Sequence, residues 1–580
     1  MTARPRRVGA TVAGAIGVTL AVAAVLVAPH LDAWGVLDHD LVATKVSESV
    51  VPASTTLGCP GPVQIPDGDR TAAAQASTVT SALGLAELAP GAVDEVLPVS
   101  ADATSAAPDP VATLTGAEPL AVLGNGAVTG GGPWSVRGTA AHAVGGTAGT
   151  AGAATPAQPV AAVAHSASSG DLRGLATAAC VEPENDQWIV AGETETGEQA
   201  SLVLDNPGRT TVTVTLELWG AAGAVTAAAA STYVLPALGH ESVLLATLAP
   251  AERRLVVHVT STGGAVGATV AESRLDGVVP RGVTLAGPGA PASTVQVVPG
   301  VSLEASEVDA TDAGVLRLLA PQHATTATVT LLGTGGREVV RGSETVDLAA
   351  GEVTDVSLAG VRAGTYTIVV SADRPLLAGA RIVHRGSAVT ESSGSVQVTV
   401  GTSADVAWLP SSTLVRTADD AATPTAQPAS AVAVPDGLVG YVVLTPLPDE
   451  LADHLAALDD VPVDYGDGAA DPRAAVARGT VEAYDGSGAL VGSQVVSAAL
   501  GVAVVVPLAT LAPGASVATV KVTAAGAGAP EPTAPRGVDL VWTLLAARGD
   551  VPGSVDGVAP RYPEAADRAV TVRPSTTLGR

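Results

Sequence analysis

Short runs of alternating apolar and polar residues dominate the chain after residue 180. Between Thr211 and Trp219, apolar Val212, Val214 and Leu216 alternate with threonines and a glutamate. Alternation with a period of two is typical of a strand with one face buried and one face in water. Such runs recur about every 8–12 residues, separated by turns rich in Gly and Pro, and this spacing predicts an all-β sandwich or barrel.

The order of runs and turns repeats along the chain. Three stretches can be laid over one another, at residues 212–275, 329–383 and 481–545. We interpret them as three tandem copies of one immunoglobulin-like β-sandwich. The predicted domains are β-sandwich 1 at 181–303, β-sandwich 2 at 304–414 and β-sandwich 3 at 415–580.

The third copy contains an insertion near 446–478. Leu451, Leu455 and Leu458 have helical spacing within it, and the acidic pair Asp449 and Glu450 precedes them. Acidic residues favour the start of a helix. We therefore expect a short helix on the edge of the third sandwich.

Residues 29–180 have a different composition, rich in Ala, Gly, Thr, Ser and Pro. Short apolar stretches within them have the character of strands, whereas Gly145 to Pro159 resembles a linker. This segment is expected to be partly β or disordered. A β-rich module and a loosely ordered stalk remain alternatives.

The N-terminus carries a membrane signal. Residues 1–7 contain Arg4, Arg6 and Arg7, and the 21 residues 8–28 have no charge. An apolar run of about 20 residues spans a bilayer as a helix. Basic residues stay cytoplasmic, so the prediction is a cytoplasmic tail at 1–7, a transmembrane signal anchor at 8–28 and an extracytoplasmic remainder at the cell membrane. The alternative is a cleaved signal peptide and a secreted protein.

Both cysteines, Cys59 and Cys180, lie on the predicted exported side. An even count outside the membrane fits a disulfide, and two cysteines allow one intramolecular pairing. Two free buried thiols are the alternative. No second Cys or His stands close enough to either cysteine to suggest a zinc site.

The charge balance excludes one class of partner. The 580 residues contain 29 Lys+Arg and 56 Asp+Glu, for a formal net charge of −27. With no basic patch to neutralise phosphates, nucleic acid is not an expected partner. The expected partners are the membrane, through the N-terminal helix, and either proteins or glycans of the envelope.

Motifs that carry chemistry are few. The sequence contains no HExxH and no GxSxG, and it predicts no catalytic residue and no cofactor. Asp464, Asp467 and Asp471 lie on a Gly-rich turn and form a weak candidate for a Ca²⁺ site, against the alternative of a solvated acidic loop. Trp134 and Trp188 are the aromatic residues with the least obvious core role, and a glycan platform would require such residues.

One segment carries a resemblance to a known family. Residues 170–180, GDLRGLATAAC, precede Trp188 and the stretch Ser201–Gly208. Together with Cys59-Pro60, they resemble a domain of unknown function in exported proteins of high-GC Gram-positive bacteria. The resemblance implies export, a cysteine pair and a β-rich ectodomain. It implies no known activity.

The sequence thus predicts tandem β-sandwich domains behind one N-terminal transmembrane helix. The expected role is structural or binding, at the cell envelope and without catalysis. One alternative is a glycan-binding or accessory factor in the assembly of envelope polysaccharide. A second is a hydrolase whose carboxylates come together only in the fold.

Overall fold

The computed structural model describes most of the chain between residues 46 and 572. The described residues are 46–50, 54–64, 77–99, 109–124, 128, 132–141, 156–310, 312–338, 340, 342, 344–393, 396–412, 429–448, 476–525, 538–562 and 568–572. The predicted transmembrane segment 8–28, the insertion helix and the aspartates Asp464, Asp467 and Asp471 lie outside them. Among the described residues, no helix combines the length and the apolar character that crossing a membrane requires.

The chain divides into two compact units. The smaller unit comprises residues 1–51 and 565–580. Its described part is an antiparallel pair of strands, β1 (Val46–Val50) and β35 (Arg568–Val572), with Val46 opposite Val572. The larger unit comprises residues 52–564 and contains all the remaining elements.

Four β-sandwiches make up the larger unit, and we name them A to D in chain order. Each consists of two sheets around a shared core. Sandwich A (54–180) contains β2 (Ser54–Cys59), β3 (Thr80–Glu87), β4 (Val93–Pro98), β5 (Ala112–Thr115), β6 (Ala121–Val122), β7 (Trp134–Thr139), β8 (Pro159–Ala167) and β9 (Gly174–Ala179). Sandwich B (186–286) contains β10 (Asp186–Ile189), β11 (Glu198–Asp205), β12 (Val212–Gly220), β13 (Gly223–Ala224), β14 (Thr232–Leu235), β15 (His240–Leu244), a 3₁₀ turn at Leu245–Thr247, β16 (Val256–Thr262), β17 (Gly267–Asp276) and β18 (Val279–Ala286).

Sandwiches C and D complete the unit. Sandwich C (293–410) contains β19 (Ser293–Leu303), β20 (Val315–Leu319), β21 (Thr325–Gly333), β22 (Gly336–Glu338), β23 (Thr345–Leu348), β24 (Val353–Ser357), β25 (Gly364–Ser393) and β26 (Val396–Pro410). Sandwich D (430–558) contains β27 (Ser430–Ala433), β28 (Leu438–Pro448), β29 (Val476–Tyr484), β30 (Leu490–Ala499), β31 (Val504–Pro507), the single-turn helix α1 (Leu508–Leu511), β32 (Thr519–Ala525), β33 (Val538–Arg548) and β34 (Asp556–Val558). The prediction of an all-β protein is confirmed.

All four sandwiches follow the same strand path. In sandwich A one sheet has the order β2–β7–β4–β5 and the other β6–β3–β8–β9, so the first strand pairs with the sixth and the last strand with the seventh. Sandwich D repeats this order strand for strand. Sandwich B repeats it when β13 and β14 are counted together as the fourth strand, because both pair with β12. In sandwich C the long β25 supplies both the sixth and the seventh strand, because its first part pairs with β19 and β21 and its second part with β20 and β26. This pairing places β19, which lies within the predicted 181–303 segment, in sandwich C.

Burial in β12 follows the alternation that the sequence shows. Val212, Val214, Leu216 and Leu218 are buried, whereas Glu217 is exposed. The buried side chains meet those of the opposing sheet in the core of sandwich B. Burying one such side chain contributes about 1.5–3 kcal/mol. The alternation therefore sets the register of the sheet, because a shift by one residue would expose every apolar side chain.

The four cores are connected in a closed cycle. Val283 of sandwich B packs into the core of A, and Trp408 of C packs into the core of B. Val443 of D packs into the core of C, and Ala162 of A packs into the core of D. Residues 52–564 therefore form one compact unit and not a series of independent domains joined by linkers.

Candidate functional site

The last strands of the four sandwiches, β9, β18, β26 and β34, contact one another at one place, which we call the junction. Its centre is Asp405 of β26, whose side chain is fully buried. Backbone N–H groups of three other sandwiches donate to its carboxyl group: Leu175 at 2.9 Å, Val283 at 3.3 Å and Val555 at 3.4 Å. A fourth N–H, that of Val406, donates at 3.2 Å. One carboxyl group therefore joins all four sandwiches.

Two glycines allow the strands to reach Asp405. A Cβ atom on Gly174 would lie 2.5 Å from Asp405 Oδ1, and one on Gly282 would lie 2.5 Å from the backbone nitrogen of Val406. Both glycines also have positive φ angles, of 155° and 113°. Side chains at these positions would hold the strands apart. Gly174 belongs to the segment 170–180 that carries the family resemblance in the sequence, so this segment forms part of the junction.

A second buried carboxyl group, that of Asp556 on β34, extends the network. Its Oδ2 accepts from the N–H of Thr177 at 2.6 Å and its Oδ1 from that of Gly557 at 2.7 Å. Burial raises the pKa of Asp405 and of Asp556 well above the ordinary value, and the N–H donors offset part of that rise. The junction is therefore built from polar groups that depend on one another for hydrogen bonds.

A cavity of about 260 Å³ lies beside the junction. All four sandwiches contribute to its walls, through the β8–β9 connection of A, the β17–β18 hairpin of B, strands β25 and β26 of C and the β33–β34 connection of D. They are formed by Ser168, Ser169, Gly170, Asp171 and Arg173 of A, Val278 and Pro280 of B, Ser387, Ala388, Val389 and Ser403 of C, and Pro552 of D. The cavity thus exists only where the four sandwiches meet.

An aromatic cluster lies on the face of sandwich B opposite its core, where the half-buried Trp188 and Trp219 pack against apolar residues at the border with sandwich C. Trp188 stacks on His258 with a ring-centroid distance of 3.9 Å, and Trp219 lies 4.9 Å from Trp188. His258 Nε2 is 2.8 Å from Asp186 Oδ1, and Nδ1 is 3.1 Å from Glu217 Oε2. Both carboxylates are more than half exposed. We call these five residues the aromatic cluster.

Trp134, the other aromatic candidate from the sequence, has a different environment. It is 4% exposed and lies in the core of sandwich A, where it stacks near His165. Burial lowers the pKa of His165 to about 4. Trp134 therefore offers no surface to a ligand.

A network of charged residues crosses the interface between sandwiches B and C. Arg317 is fully buried and binds Asp355 through two hydrogen bonds of 2.9 Å and 3.1 Å. It also donates to the carbonyl of Gly192 at 2.9 Å and to Glu193 Oε1 at 3.3 Å. Its guanidinium lies 4.5 Å from the ring centre of Trp408. The sequence did not indicate this network, because the partners of Arg317 lie 38 to 125 residues away along the chain.

Two carboxyl groups face each other inside sandwich A. Glu87 and Asp94 are both fully buried. Glu87 Oε1 accepts from the N–H groups of Ala89 and Gln158, at 2.6 Å and 2.9 Å. Burial, together with the neighbouring Glu87, raises the pKa of Asp94 to about 9. The pair is enclosed by the sandwich and does not line a cleft.

The structure confirms the predicted disulfide between Cys59 and Cys180. Both cysteines are buried in the core of sandwich A, where the bond connects its first strand to the residue after its last strand. In the part of the chain that the structure describes, no group of three or more His, Cys, Asp or Glu side chains is placed to hold a metal ion. The weak Ca²⁺ candidate lies outside that part.

Comparisons with known proteins give a family but no activity. No curated protein matches the chain, and no solved structure matches it. The model of a family of unknown function, DUF5719, matches residues 135–455. This match begins in sandwich A and covers all of B and C, including Arg173, Asp405 and the aromatic cluster. Because it spans more than half of the chain, the protein belongs to the DUF5719 family of unknown function.

Proposed function

We propose that the protein is an exported, membrane-anchored scaffold of the cell envelope, with a structural or binding role and no catalytic activity. The observation that carries this proposal is the junction, where Asp405 accepts hydrogen bonds from all four sandwiches. Several domains joined by mobile linkers would move relative to one another by default. Sandwiches that share cores and a buried polar network instead present their outer faces in a fixed arrangement, as a scaffold requires.

Two features support the predicted location. Disulfides persist in oxidising compartments outside the cytoplasm, and Cys59 and Cys180 are bonded. The uncharged run 8–28 follows three arginines and has the length of a transmembrane helix. Export of a chain that keeps its N-terminal anchor would explain both the disulfide and the uncharged run.

Fractionation of the native host tests the location. The proposal predicts that the protein stays in the membrane fraction after a high-salt wash and is degraded when protease is added to intact protoplasts. A protein recovered intact in the cytosol would refute export. A protein found in the medium with a new N-terminus between residues 24 and 45 would refute the anchor alone.

Cross-linking in intact cells tests the role. The proposal predicts that envelope proteins are cross-linked to the wild-type chain and are lost when Asp405→Asn loosens the junction. The exposed substitution Asp373→Asn is the matched control. A chain that acquires no cross-linked partner in either form would contradict a scaffold.

Glycan binding is the second candidate, and the aromatic cluster favours it. Aromatic faces next to carboxylates suit a sugar ring, since the ring packs on the aromatic face and its hydroxyls donate to the carboxylates. A pulldown with isolated envelope polysaccharide tests it. Trp188→Ala and Glu217→Gln should each reduce retention, whereas Val495→Ala, at an exposed apolar position of sandwich D, should not. Equal retention by all variants would remove this candidate.

No specific observation favours the hydrolase alternative. Within the described residues, the facing carboxyl pair Glu87 and Asp94 is fully buried. A substrate would have to enter the core of sandwich A to reach it. We therefore do not propose hydrolysis.

A further inference from the structure

We propose that Glu272 makes the interface between sandwiches B and C sensitive to pH: the interface is closed while the carboxyl group of Glu272 carries a proton, and it opens when the proton is lost. The proposal rests on the buried position of Glu272 and on the charged side chains around it. It does not depend on the envelope role.

Glu272 lies on the core-facing side of β17. Ala268 and Val270 of the same strand belong to the core of sandwich B, and side chains two residues apart point to the same face of a strand. Sandwich C reaches this place, because Trp408 packs into the same core and its N–H donates at 3.1 Å to Thr284, the residue opposite Glu272 on β18. Glu272 is 1% exposed, and neither of its carboxyl oxygens has a hydrogen-bond partner among the described residues. It is therefore a buried carboxyl group at the interface with no hydrogen bond to support its charge.

Charged side chains from both sandwiches surround Glu272. Sandwich B contributes Glu193 from the segment between β10 and β11, Glu198 from β11 and Arg274 from β17 itself, and sandwich C contributes Arg317 from β20 and Arg381 from β25. Behind these groups lie further ion pairs, formed by Arg253 with Glu195, Arg254 with Asp355, Arg317 with Asp355 and Arg281 with Asp312. The charge on Glu272 therefore affects groups on both sides of the interface.

Each of the three nearby arginines binds a different carboxylate. Arg381 Nη1 donates to Glu193 Oε1 at 2.5 Å, and Arg274 Nε lies 2.7 Å from Glu198 Oε1. The arginine on β20 belongs to the charged network that crosses the interface. An ionised Glu272 would therefore be a buried negative charge without a hydrogen bond, close to two other carboxylates. Burying such a charge costs far more than burying the neutral acid, so the closed interface favours the protonated form.

The pKa of Glu272 sets the pH range of the opening. Burial and the negative charges of Glu193 and Glu198 raise this pKa to about 8, against the opposing effect of Arg381 and Arg317. The unfolded chain releases the same proton near pH 4.5. The stability that Glu272 contributes is therefore fully present below about pH 4.5 and is lost as the pH rises to about 8. Above about pH 8, separation of sandwich C from sandwich B would bring water to the carboxylate without unfolding either sandwich.

Hydrogen-exchange mass spectrometry of the full chain at several pH values tests the opening. The N–H of Trp408 donates to Thr284 across the interface, so its protection reports whether the interface is closed. After correction for the intrinsic effect of pH on exchange, the peptide with Trp408 should lose at least about tenfold in protection between about pH 6 and 9. The peptide with Leu175, whose N–H donates to Asp405 at the junction, should change less than about threefold. Unchanged protection at Trp408 would overturn the proposal, and so would an equal loss at Leu175, because that loss would assign the effect to the junction.

Glu272→Gln tests whether Glu272 is the titrating group, because it removes the ionisable proton and keeps the shape of the side chain. In urea unfolding between about pH 5.5 and 7.5, the ratio of folded to unfolded protein should fall about tenfold more per pH unit in the wild type than in the variant. The peptide with Trp408 should keep its protection at high pH in the variant. Glu241→Gln, exposed on β15 of the same sandwich, is the matched control and should follow the wild type. A wild-type pH profile in Glu272→Gln would overturn the role of Glu272, and the exchange profile of the wild type decides the proposal if this variant does not fold.

Discussion

Replacing Asp405 by asparagine should destabilise the larger unit although it leaves the shape of the side chain unchanged. Oδ2 of Asp405 accepts from Leu175 and Val555, and Oδ1 accepts from Val283 and Val406. An asparagine keeps one accepting oxygen and turns the other into an NH₂ donor. Whichever way the amide is oriented, two buried N–H groups then face a donor.

The expected loss follows from these two N–H groups. A buried donor without an acceptor costs about 1–3 kcal/mol, so Asp405→Asn should lower the free energy of unfolding by at least about 2 kcal/mol. That is roughly a 30-fold change in the ratio of folded to unfolded protein. Urea unfolding followed by circular dichroism measures it as a lower midpoint with an unchanged slope.

Asp373→Asn is the control for this measurement, because Asp373 is exposed on β25 and the substitution makes the same change of a carboxyl group to an amide. It should leave the free energy of unfolding within about 0.5 kcal/mol of the wild-type value. If Asp405→Asn behaved like Asp373→Asn, one carboxyl oxygen of Asp405 would not act as an acceptor. The hydrogen-bond network that we describe at the junction would then be refuted.

Three further predictions concern the interior. The double substitution Cys59→Ser, Cys180→Ser removes a bond that closes a loop of 121 residues. In the chain-entropy model such a bond contributes about 4–5 kcal/mol to stability, so its loss should speed proteolytic cleavage between residues 60 and 180. Equal cleavage rates would show that the bond does not stabilise sandwich A. Asp94, with its pKa raised to about 9, keeps in the folded state a proton that the unfolded chain releases above pH 4 or so, so its contribution to stability should decline as pH rises from about 4 to 9. Asp94→Asn should flatten that decline in urea midpoints measured at several pH values, and an unchanged slope would exclude Asp94 as its source. Arg317→Met leaves Asp355 without its buried partner and should lower the free energy of unfolding by about 3–5 kcal/mol. Arg362→Met, at an exposed ion pair, should lower it by less than about 1 kcal/mol. Similar unfolding midpoints for the two variants would contradict a buried network.

The strands were predictable from the sequence where one face of a sheet meets solvent. In β12 the alternation of apolar and polar residues corresponds to buried and exposed positions. The three sequence copies correspond to the third to seventh strands of sandwiches B, C and D. Their pattern is visible because their outer faces carry Thr, Ser and charged residues.

The fourth copy, sandwich A, shows no alternation of apolar and polar residues in β8 and β9. All nine residues of β8 are buried, and so are the first five residues of β9. One face of this sheet covers the core of A and the other meets the neighbouring sandwiches. A strand buried on both faces shows no alternation. Its small residues, mainly Ala, therefore left open in the sequence whether this segment is β or disordered.

The functional candidates were predictable only in part. Trp188 could be identified as a non-core aromatic, but its partners His258 and Glu217 reach it through the pairing of β10 with β16 and of β16 with β12. Asp405 lies in an ordinary strand sequence, and its partners in the other sandwiches are 122 to 230 residues away. No local motif can mark a residue whose role depends on contacts at such separations.

Hydrogen-exchange mass spectrometry of the last strands, β9, β18, β26 and β34, tests most directly whether the four sandwiches are joined at Asp405. If Asp405 joins the sandwiches, peptides from all four strands exchange together, among the slowest in the chain, and Asp405→Asn accelerates all four. Acceleration confined to β26, or four strands that each exchange at the rate of their own sandwich, would contradict it.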